Sequence, residues 1–128
     1  MPAPSQTTSE LKRLAAMVCT GLCLPGAALA QDLDAEVMTA GTTLYQDFCA
    51  ACHGEQGSGT SSGPPLATSS RLQNIDKLVG QTLDGGEYMP GFAFLLSDAE
   101  VSAVLTLIRN SWGNDFGPVQ PTDAERLR

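Results

Sequence analysis

The sequence contains few of the side chains from which metal clusters and hydrolytic active sites are usually built. Its 128 residues include a single histidine, His53, and only four cysteines. One imidazole excludes any ligand set with two histidines and leaves few candidates for a catalytic base. The sequence also lacks a phosphate-binding loop and a recognisable pairing of nucleophile and base. We therefore do not expect an enzyme that converts a substrate.

Long hydrophobic runs are also missing, which argues against a membrane-spanning helix. The most apolar stretch covers residues 14–24, whereas a helix that spans a bilayer needs roughly 20 such residues. It follows a basic pair at residues 12–13 and precedes Ala-Leu-Ala at 28–30, an order typical of a secretory signal peptide. We expect cleavage of residues 1–30 on export, which leaves one periplasmic domain, residues 31–128, without a membrane span. The alternative is an uncleaved anchor.

Basic residues are scarce in residues 31–128. This segment carries thirteen acidic and five basic side chains, a formal charge of −8. A surface of this sign repels a phosphate backbone, so nucleic acid is not expected as a partner. The acidity contributes to solubility, and the alternative is that it steers the protein toward a basic face of a partner.

Alternation of apolar and polar residues, the pattern of a β-strand, does not occur after the leader. Apolar residues instead recur at helical spacing over residues 35–51, and a shorter helix is expected around residues 75–79. The clearest helix covers residues 97–112 and begins with a capping box formed by Ser97 and Glu100. The sequence therefore predicts an all-α fold with three to four helices and long loops.

The first helix ends on the motif Cys49-Ala50-Ala51-Cys52-His53, the attachment signature of a c-type haem. Two thiols one helical turn apart can add to the two vinyl groups of the porphyrin, and His53 can then bind the iron. Structural zinc would need four ligands, and a thioredoxin-like pair would begin a helix, whereas this pair ends one. We expect one covalently attached haem c (heme c), wrapped by the Gly- and Pro-rich loop at residues 55–74.

The sixth ligand of the iron must come from outside the motif, because His53 is the only histidine. Met38 is too close in sequence to His53 to reach the opposite haem face easily. Met89 lies in residues 85–92, where glycines and a proline form a stiff loop that suits an axial ligand, with core packing as its alternative role. A carbonyl from Gly-Pro-Pro-Leu at residues 63–66 is expected to orient the His53 ring.

Three further side chains have two possible roles each. Trp112 is expected to anchor the last helix as a buried or half-buried side chain, with partner recognition as the alternative. Arg71 and Arg109 either pair with a haem propionate or belong to the solvated surface.

Taken together, these motifs resemble the class I cytochromes c. The matching residues span nearly all of the segment after the leader: Gly41, Tyr45, residues 49–54, 63–66 and 89–92, and the last helix. The resemblance implies a class I cytochrome c fold of helices and long loops around one haem. It further implies that the first helix crosses the last at Gly41, that the Pro64 carbonyl accepts a hydrogen bond from His53, and that Met89 binds the iron.

A narrower resemblance is to the cytochrome domains that accompany bacterial periplasmic dehydrogenases and some copper nitrite reductases. It rests on residues 64–67, 88–92, 96–98 and 108–114. It implies an electron carrier whose partners are a periplasmic dehydrogenase, reductase or oxidase. One alternative function is a haem protein that binds or senses a gas through an open sixth position. A second alternative is a structural subunit that only docks a larger dehydrogenase complex.

Overall fold

A computed structural model of the chain describes residues 33–128, so the expected signal peptide at residues 1–30 lies outside the described residues. In chain order the elements are α1 (Ala35–Phe48), α2 (Ala50–His53), a 3₁₀ turn (Ser70–Gln73), α3 (Ile75–Asp84), α4 (Asp98–Arg109) and α5 (Pro121–Leu127). Residues 33–128 contain no β-strand, which confirms the all-α expectation. None of these helices has the length and hydropathy to cross a membrane.

The helix expected over residues 35–51 is divided at Cys49 into α1 and α2. The Asp34 carboxylate caps α1 by accepting a hydrogen bond from the Glu36 N–H at 2.8 Å. Cys49 has a φ of −119°, far from the usual helical value, although its N–H still donates to the Tyr45 carbonyl at 2.9 Å. α2 ends at Gly54, whose φ of +82° is accessible to glycine without strain.

α1 crosses α4 at Gly41, as the resemblance implies. A Cβ atom on Gly41 would overlap the carbonyl oxygen of Ala103 and lie 3.0 Å from the Cβ of Leu107. The two backbones therefore approach more closely than a side chain at this position would allow. Tyr45, one helical turn further along α1, is fully buried in the same core.

Gly41→Ala is expected to lower the free energy of unfolding by about 1–3 kcal/mol, because the added methyl group must push α1 away from α4. Gly80→Ala in α3 is the matched control, since a Cβ there meets no atom of the described residues within 4 Å. That control should be neutral or stabilising by up to about 1 kcal/mol through its better helix propensity. Urea unfolding of the two variants measures both effects, and equal stability would contradict the close crossing.

α4 is the central helix of the fold, and every residue from Val101 to Arg109 is buried. It begins with the expected capping box, in which the Ser97 N–H donates to the Glu100 carboxylate at 2.8 Å and the Ser97 hydroxyl accepts from the Glu100 N–H. A helix that is buried all round needs cover on more than one side. α1 covers one side of α4, and the segment that leads into α5 covers another.

α5 is the element that the sequence did not predict. Its seven residues have only two apolar side chains besides the initial proline, Ala124 and Leu127, so they show no clear helical stripe. The approach to α5 is fixed by Thr106, whose hydroxyl accepts a hydrogen bond from the Val119 N–H at 2.9 Å inside the core. Ala124 is then fully buried at the contact between α5 and α4.

The loop at residues 55–74 is held in place by Asn114, which is buried after α4. Its side-chain amide donates to the carbonyls of Leu66 and Ile108, both at 2.9 Å, and its oxygen accepts from the Ser69 N–H at 3.0 Å. One side chain thus satisfies backbone groups from the loop and from the helix end. Protein contacts from a distant segment therefore order part of this long loop.

Trp112 is half-buried and anchors the end of α4, as expected. Its ring lies 4.8 Å from the ring of Tyr45, and its carbonyl accepts a hydrogen bond from the Thr68 N–H at 3.1 Å. A Cβ on Gly57 would come within 2.5 Å of the indole, and the φ of Gly57 is +64°. The tryptophan therefore packs against α1 and the 55–74 loop at the same time.

Candidate haem-binding site

Cys49 and Cys52 are both free thiols where α1 meets α2. Burial, followed by the charge of nearby Cys52, raises the pKa of Cys49 to about 11. The Cys49 thiol is therefore protonated at neutral pH, whereas redox-active cysteines of the thioredoxin type have lowered pKa values. This environment argues against the reading of the two cysteines as a redox pair.

A zinc site is also unsupported. Within residues 33–128, no three histidine, cysteine, aspartate or glutamate side chains are grouped so that they can hold a metal ion. Structural zinc requires four such ligands. The described residues therefore give no support to the zinc alternative.

The imidazole of His53 is oriented by the loop that follows α2. Its Nδ1 atom lies 2.9 Å from the carbonyl oxygen of Pro64, which can only accept a hydrogen bond. This contact favours the neutral tautomer with the proton on Nδ1, in which Nε2 has the lone pair that a metal ligand needs. This contact is the one that the sequence predicted from the 63–66 segment.

The loop approaches α2 closely enough to require glycine. A Cβ on Gly63 would lie 2.8 Å from the carbonyl oxygen of Cys52. That same carbonyl accepts a hydrogen bond from the Thr60 hydroxyl at 2.6 Å. The loop is therefore fastened to the attachment motif at three points: through Thr60, through the bond between Pro64 and His53, and through the Gly59 N–H, which donates to the His53 carbonyl at 2.7 Å.

An open cavity of about 900 Å³ lies beside the motif, lined by Cys52, residues 58–65 and Tyr88. Its size is within the range of known cofactor sites. Tyr88 is 84% exposed, which is unusual for a large aromatic side chain and leaves its ring available to a flat ligand. The lining of this cavity includes Cys52 but not Cys49, His53 or Met89, so the fit to a haem c rests on the two thiols and on the orientation of the imidazole.

Met89 is half-buried, and the loop that carries it is attached to the end of α3. The Gly86 N–H donates to the Met89 carbonyl at 2.8 Å, and the Phe92 N–H donates to the Thr82 carbonyl at 3.0 Å. Met38, in α1, is also half-buried and packs against the core. The choice between the two methionines as iron ligand stays a prediction.

Tyr45 supports the attachment motif from inside the core. Its hydroxyl donates to the carbonyl of Gly54, directly after His53, at 2.6 Å. Burial, with a smaller contribution from Cys49, raises the pKa of Tyr45 to about 12. Ionisation would place a charge in the core and remove the hydrogen-bond donor, so the neutral phenol is favoured.

The stability of the protein should fall as the pH rises from about 10 to 12. An unfolded tyrosine ionises near pH 10, whereas the pKa of Tyr45 in the fold is about 12. The neutral phenol of Tyr45 therefore contributes its full stabilisation below pH 10, and this stabilisation is lost as the pH rises from about 10 to 12. Tyr45→Phe should cost about 0.5–1.5 kcal/mol at neutral pH and flatten this alkaline decline. Tyr88→Phe is the control and should change neither. Urea unfolding across this pH range makes the comparison, and identical alkaline slopes in all three proteins would contradict the assignment to Tyr45.

Arg109 does not belong to the solvated surface, so that interpretation is wrong. Its side chain is buried, and its guanidinium donates to the carbonyl of Phe116. Burial lowers its pKa, while the nearby Asp123 carboxylate acts in the opposite direction. Its Nε and Nη1 atoms are buried without a hydrogen-bond partner among the described residues. Arg71 is exposed, and pairing of either arginine with a haem propionate stays a prediction.

The sequence profile of the family described as "Cytochrome C oxidase, cbb3-type, subunit III" matches residues 36–108. These residues are more than half of the chain and include α1, the attachment motif, the Met89 loop and nearly all of α4. The chain belongs to the cytochrome c family. A covalently bound haem c is the cofactor that membership of this family implies.

Relatives of this cytochrome occur as subunits of larger redox systems. It is 33% identical over 104 residues to the cytochrome c subunit of the quinone-dependent alcohol dehydrogenase of Gluconobacter oxydans, a match that covers 70% of this chain and 22% of that protein. It is 38% identical over 92 residues to the gluconate 2-dehydrogenase cytochrome c subunit of Pantoea cypripedii, covering 58% and 20%. The match to the cbb3-type oxidase subunit CcoP of Azospirillum brasilense is 34% over 89 residues, covering 62% and 30%.

The cytochrome spans only about a fifth to a third of the length of these curated relatives. Its fold resembles cytochrome cL of Methylophaga aminisulfidivorans, with a TM-score of 0.50, 28% identity, and coverage of 60% of this chain and 54% of that one. It also resembles XoxG of Methylobacterium extorquens, with a TM-score of 0.52, 18% identity, and coverage of 72% and 67%. The class I cytochrome c fold and the resemblance to dehydrogenase-associated cytochromes are thereby confirmed.

Proposed function

We propose that this cytochrome is a periplasmic carrier of single electrons on one haem c, with His53 and Met89 as the iron ligands. The observation that carries the proposal is the hydrogen bond from His53 to the Pro64 carbonyl. His53 directly follows Cys52, and both cysteines of the motif are free thiols. In the neutral imidazole this bond selects the tautomer with the proton on Nδ1, so Nε2 is the nitrogen offered to a metal, and the bond holds the ring in one orientation.

Each part of the chain has a separate task in this proposal. When bound, the haem supplies an iron that cycles between the ferrous and ferric states. Cys49 and Cys52 hold it covalently, while the Pro64 carbonyl keeps the His53 imidazole in the ligating tautomer. Met89 offers a thioether from a loop that is attached to the end of α3. A thioether raises the reduction potential relative to more strongly donating ligands.

We further propose that residues 1–30 direct export and that the working protein is residues 31–128 in the periplasm. The order of basic pair, short apolar run and Ala-Leu-Ala supports this. Cytochrome subunits of dehydrogenases and oxidases are among the relatives, so a redox protein of that kind is the proposed partner. The formal charge of −8 on residues 31–128 would favour a basic docking face on that partner.

Voltammetry of the purified holoprotein tests the proposed function. We expect one reversible one-electron wave, because neither ligand needs to leave when the iron changes its oxidation state. We also expect the reduced protein to show little spectral change under carbon monoxide, since Met89 already occupies the sixth position. A strong carbon monoxide complex without a reversible wave would instead favour the gas-binding alternative, which none of the relatives supports.

A further inference from the structure

The Met89 loop, residues 85–92, is fixed at the point where it leaves α3, and the Met89 side chain packs against the edge of the hydrophobic core. The side-chain amide of Gln81 lies 3.9 Å from the Met89 sulfur, a long and weak contact, so the sulfur has no strong polar partner among the described residues. The position of the thioether therefore depends on this packing and on the backbone bonds of the loop, from Gly86 to Met89 and from Phe92 to α3. Any displacement of the chain on either side of the loop would move it.

On its far side the loop continues into residues 93–97, and this segment is held by Arg128. The guanidinium of Arg128 donates to the carbonyls of Ala93 and Leu96 and to the carboxylate of Asp98. Three different nitrogens therefore bind three acceptors that span the stretch from the loop to the start of α4. Only the planar fork of an arginine presents donors in this arrangement.

The ion pair between Arg128 and Asp98 is partly shielded from water. The two side chains are 30% and 32% exposed, so solvent screens their attraction less than that of a fully exposed pair. The donor and the acceptor are both charged, and hydrogen bonds between charged groups are stronger than those between neutral groups. This contact joins residues that are 30 positions apart in sequence.

The helix that precedes the loop, α3, is contacted by a second arginine. Arg126, in α5, donates to Asp76 in the first turn of α3 at 2.6 Å, and both side chains are largely exposed. Every ion pair within residues 33–128 involves Arg126 or Arg128, in a segment that has only five basic residues. The cations of the α5 region therefore contact the chain both before and after the Met89 loop.

We propose that α5 and Arg128 form a clasp that keeps Met89 in its ligating position, with Arg128 as the positioning residue. This inference rests on the proposed role of Met89 as iron ligand. Arg128 restrains residues 93–97, directly after the loop, so the loop has less freedom to swing outward. Arg126 holds α5, which precedes Arg128 in the chain, against the first turn of α3. Without the clasp, an exogenous ligand competes more easily for the sixth position, because less free energy is needed to displace the thioether.

Imidazole titration of the ferric holoprotein tests the clasp. The unmodified protein should show the iron–sulfur charge-transfer band, and imidazole should abolish that band as it displaces Met89. We expect Arg128→Ala to increase the apparent affinity for imidazole about tenfold. Arg128→Lys keeps the charge but cannot bind all three acceptors. Its affinity for imidazole should therefore lie between that of the unmodified protein and that of Arg128→Ala. Lys77→Ala, which removes an exposed charge from α3, should leave the affinity unchanged.

The outcomes separate the clasp from the proposed function and from a purely structural role. If the unmodified protein has the band but Arg128→Ala binds imidazole like the unmodified protein, the clasp is refuted while Met89 remains the ligand. If Arg128→Ala lowers only the stability in urea, the role is structural and the clasp is again refuted. If Lys77→Ala increases the affinity for imidazole equally, the effect comes from the change in net charge, and the clasp is refuted. Absence of the band from the unmodified protein would overturn both proposals.

Discussion

Replacement of both Cys49 and Cys52 by alanine should abolish covalent attachment of the haem completely. The two thiols are the only ones in residues 31–128, and both are free where α1 meets α2. Each single variant should keep its haem through the remaining thioether bond. Extraction with acidified organic solvent makes the measurement, since it removes haem from the polypeptide only when no thioether bond is present.

The control for this experiment is the pair Cys19 and Cys23, which we expect to be removed with the leader. Their replacement should leave attachment unchanged. The intact mass of the unmodified exported protein should equal residues 31–128 plus one haem. Colour that stays with the Cys49 and Cys52 double variant would refute the attachment site. A mass that includes residues 1–30, or a second haem, would contradict cleavage or the single haem respectively.

Replacement of Met89 by alanine should open the sixth position of the iron. We expect the iron–sulfur charge-transfer band of the ferric protein to disappear and the ferrous protein to bind carbon monoxide. The reduction potential should fall, because a thioether favours ferrous iron more than the water or hydroxide that would replace it. The fall should be a substantial part of the roughly 0.8 V range over which axial ligands tune haem proteins.

Met38→Ala is the matched control for Met89→Ala. Met38 is also half-buried, but it lies in α1 and packs against the hydrophobic core. Because Met38 is only half-buried, its replacement should lower stability by about 0.5–3 kcal/mol, without affecting the band or the carbon monoxide reaction. If the two variants exchange these phenotypes, the ligand assignment is wrong, and the clasp of Arg128 on the Met89 loop is wrong with it.

These predictions place the protein among electron-transfer components, in agreement with its relatives. Those relatives are cytochrome subunits of dehydrogenases and oxidases. The formal charge of −8 on residues 31–128 suits the proposed partner with a basic face, and the association rate should then fall as the salt concentration rises.

Local patterns in the sequence were enough to predict most of the helices and the attachment motif. The start of α4 is determined by Ser97 and Glu100, which interact within one helical turn. The attachment motif likewise needs only five consecutive residues. The prediction of one helix over residues 35–51 was less accurate, because periodicity continues through Cys49 while the backbone there departs from helical geometry. The bond from His53 to a carbonyl of residues 63–66 was predicted from the prolines of that segment, and the resemblance to class I cytochromes c pointed to Pro64 itself.

By itself the sequence determined the all-α class, the CxxCH motif, the acidic charge and the capping of α4, since each depends on composition or on neighbours within a few residues. Only the tertiary structure decided the burial of Arg109, the role of Asn114 and the placement of α5. Asn114 bonds to Leu66 across 48 positions, and Arg128 bonds to Ala93 across 35. No local pattern encodes such pairings, because a polar side chain carries no periodic signal for its distant partner. They depend on the packing of α4 against α1 and α5, which brings distant parts of the chain within reach of one another.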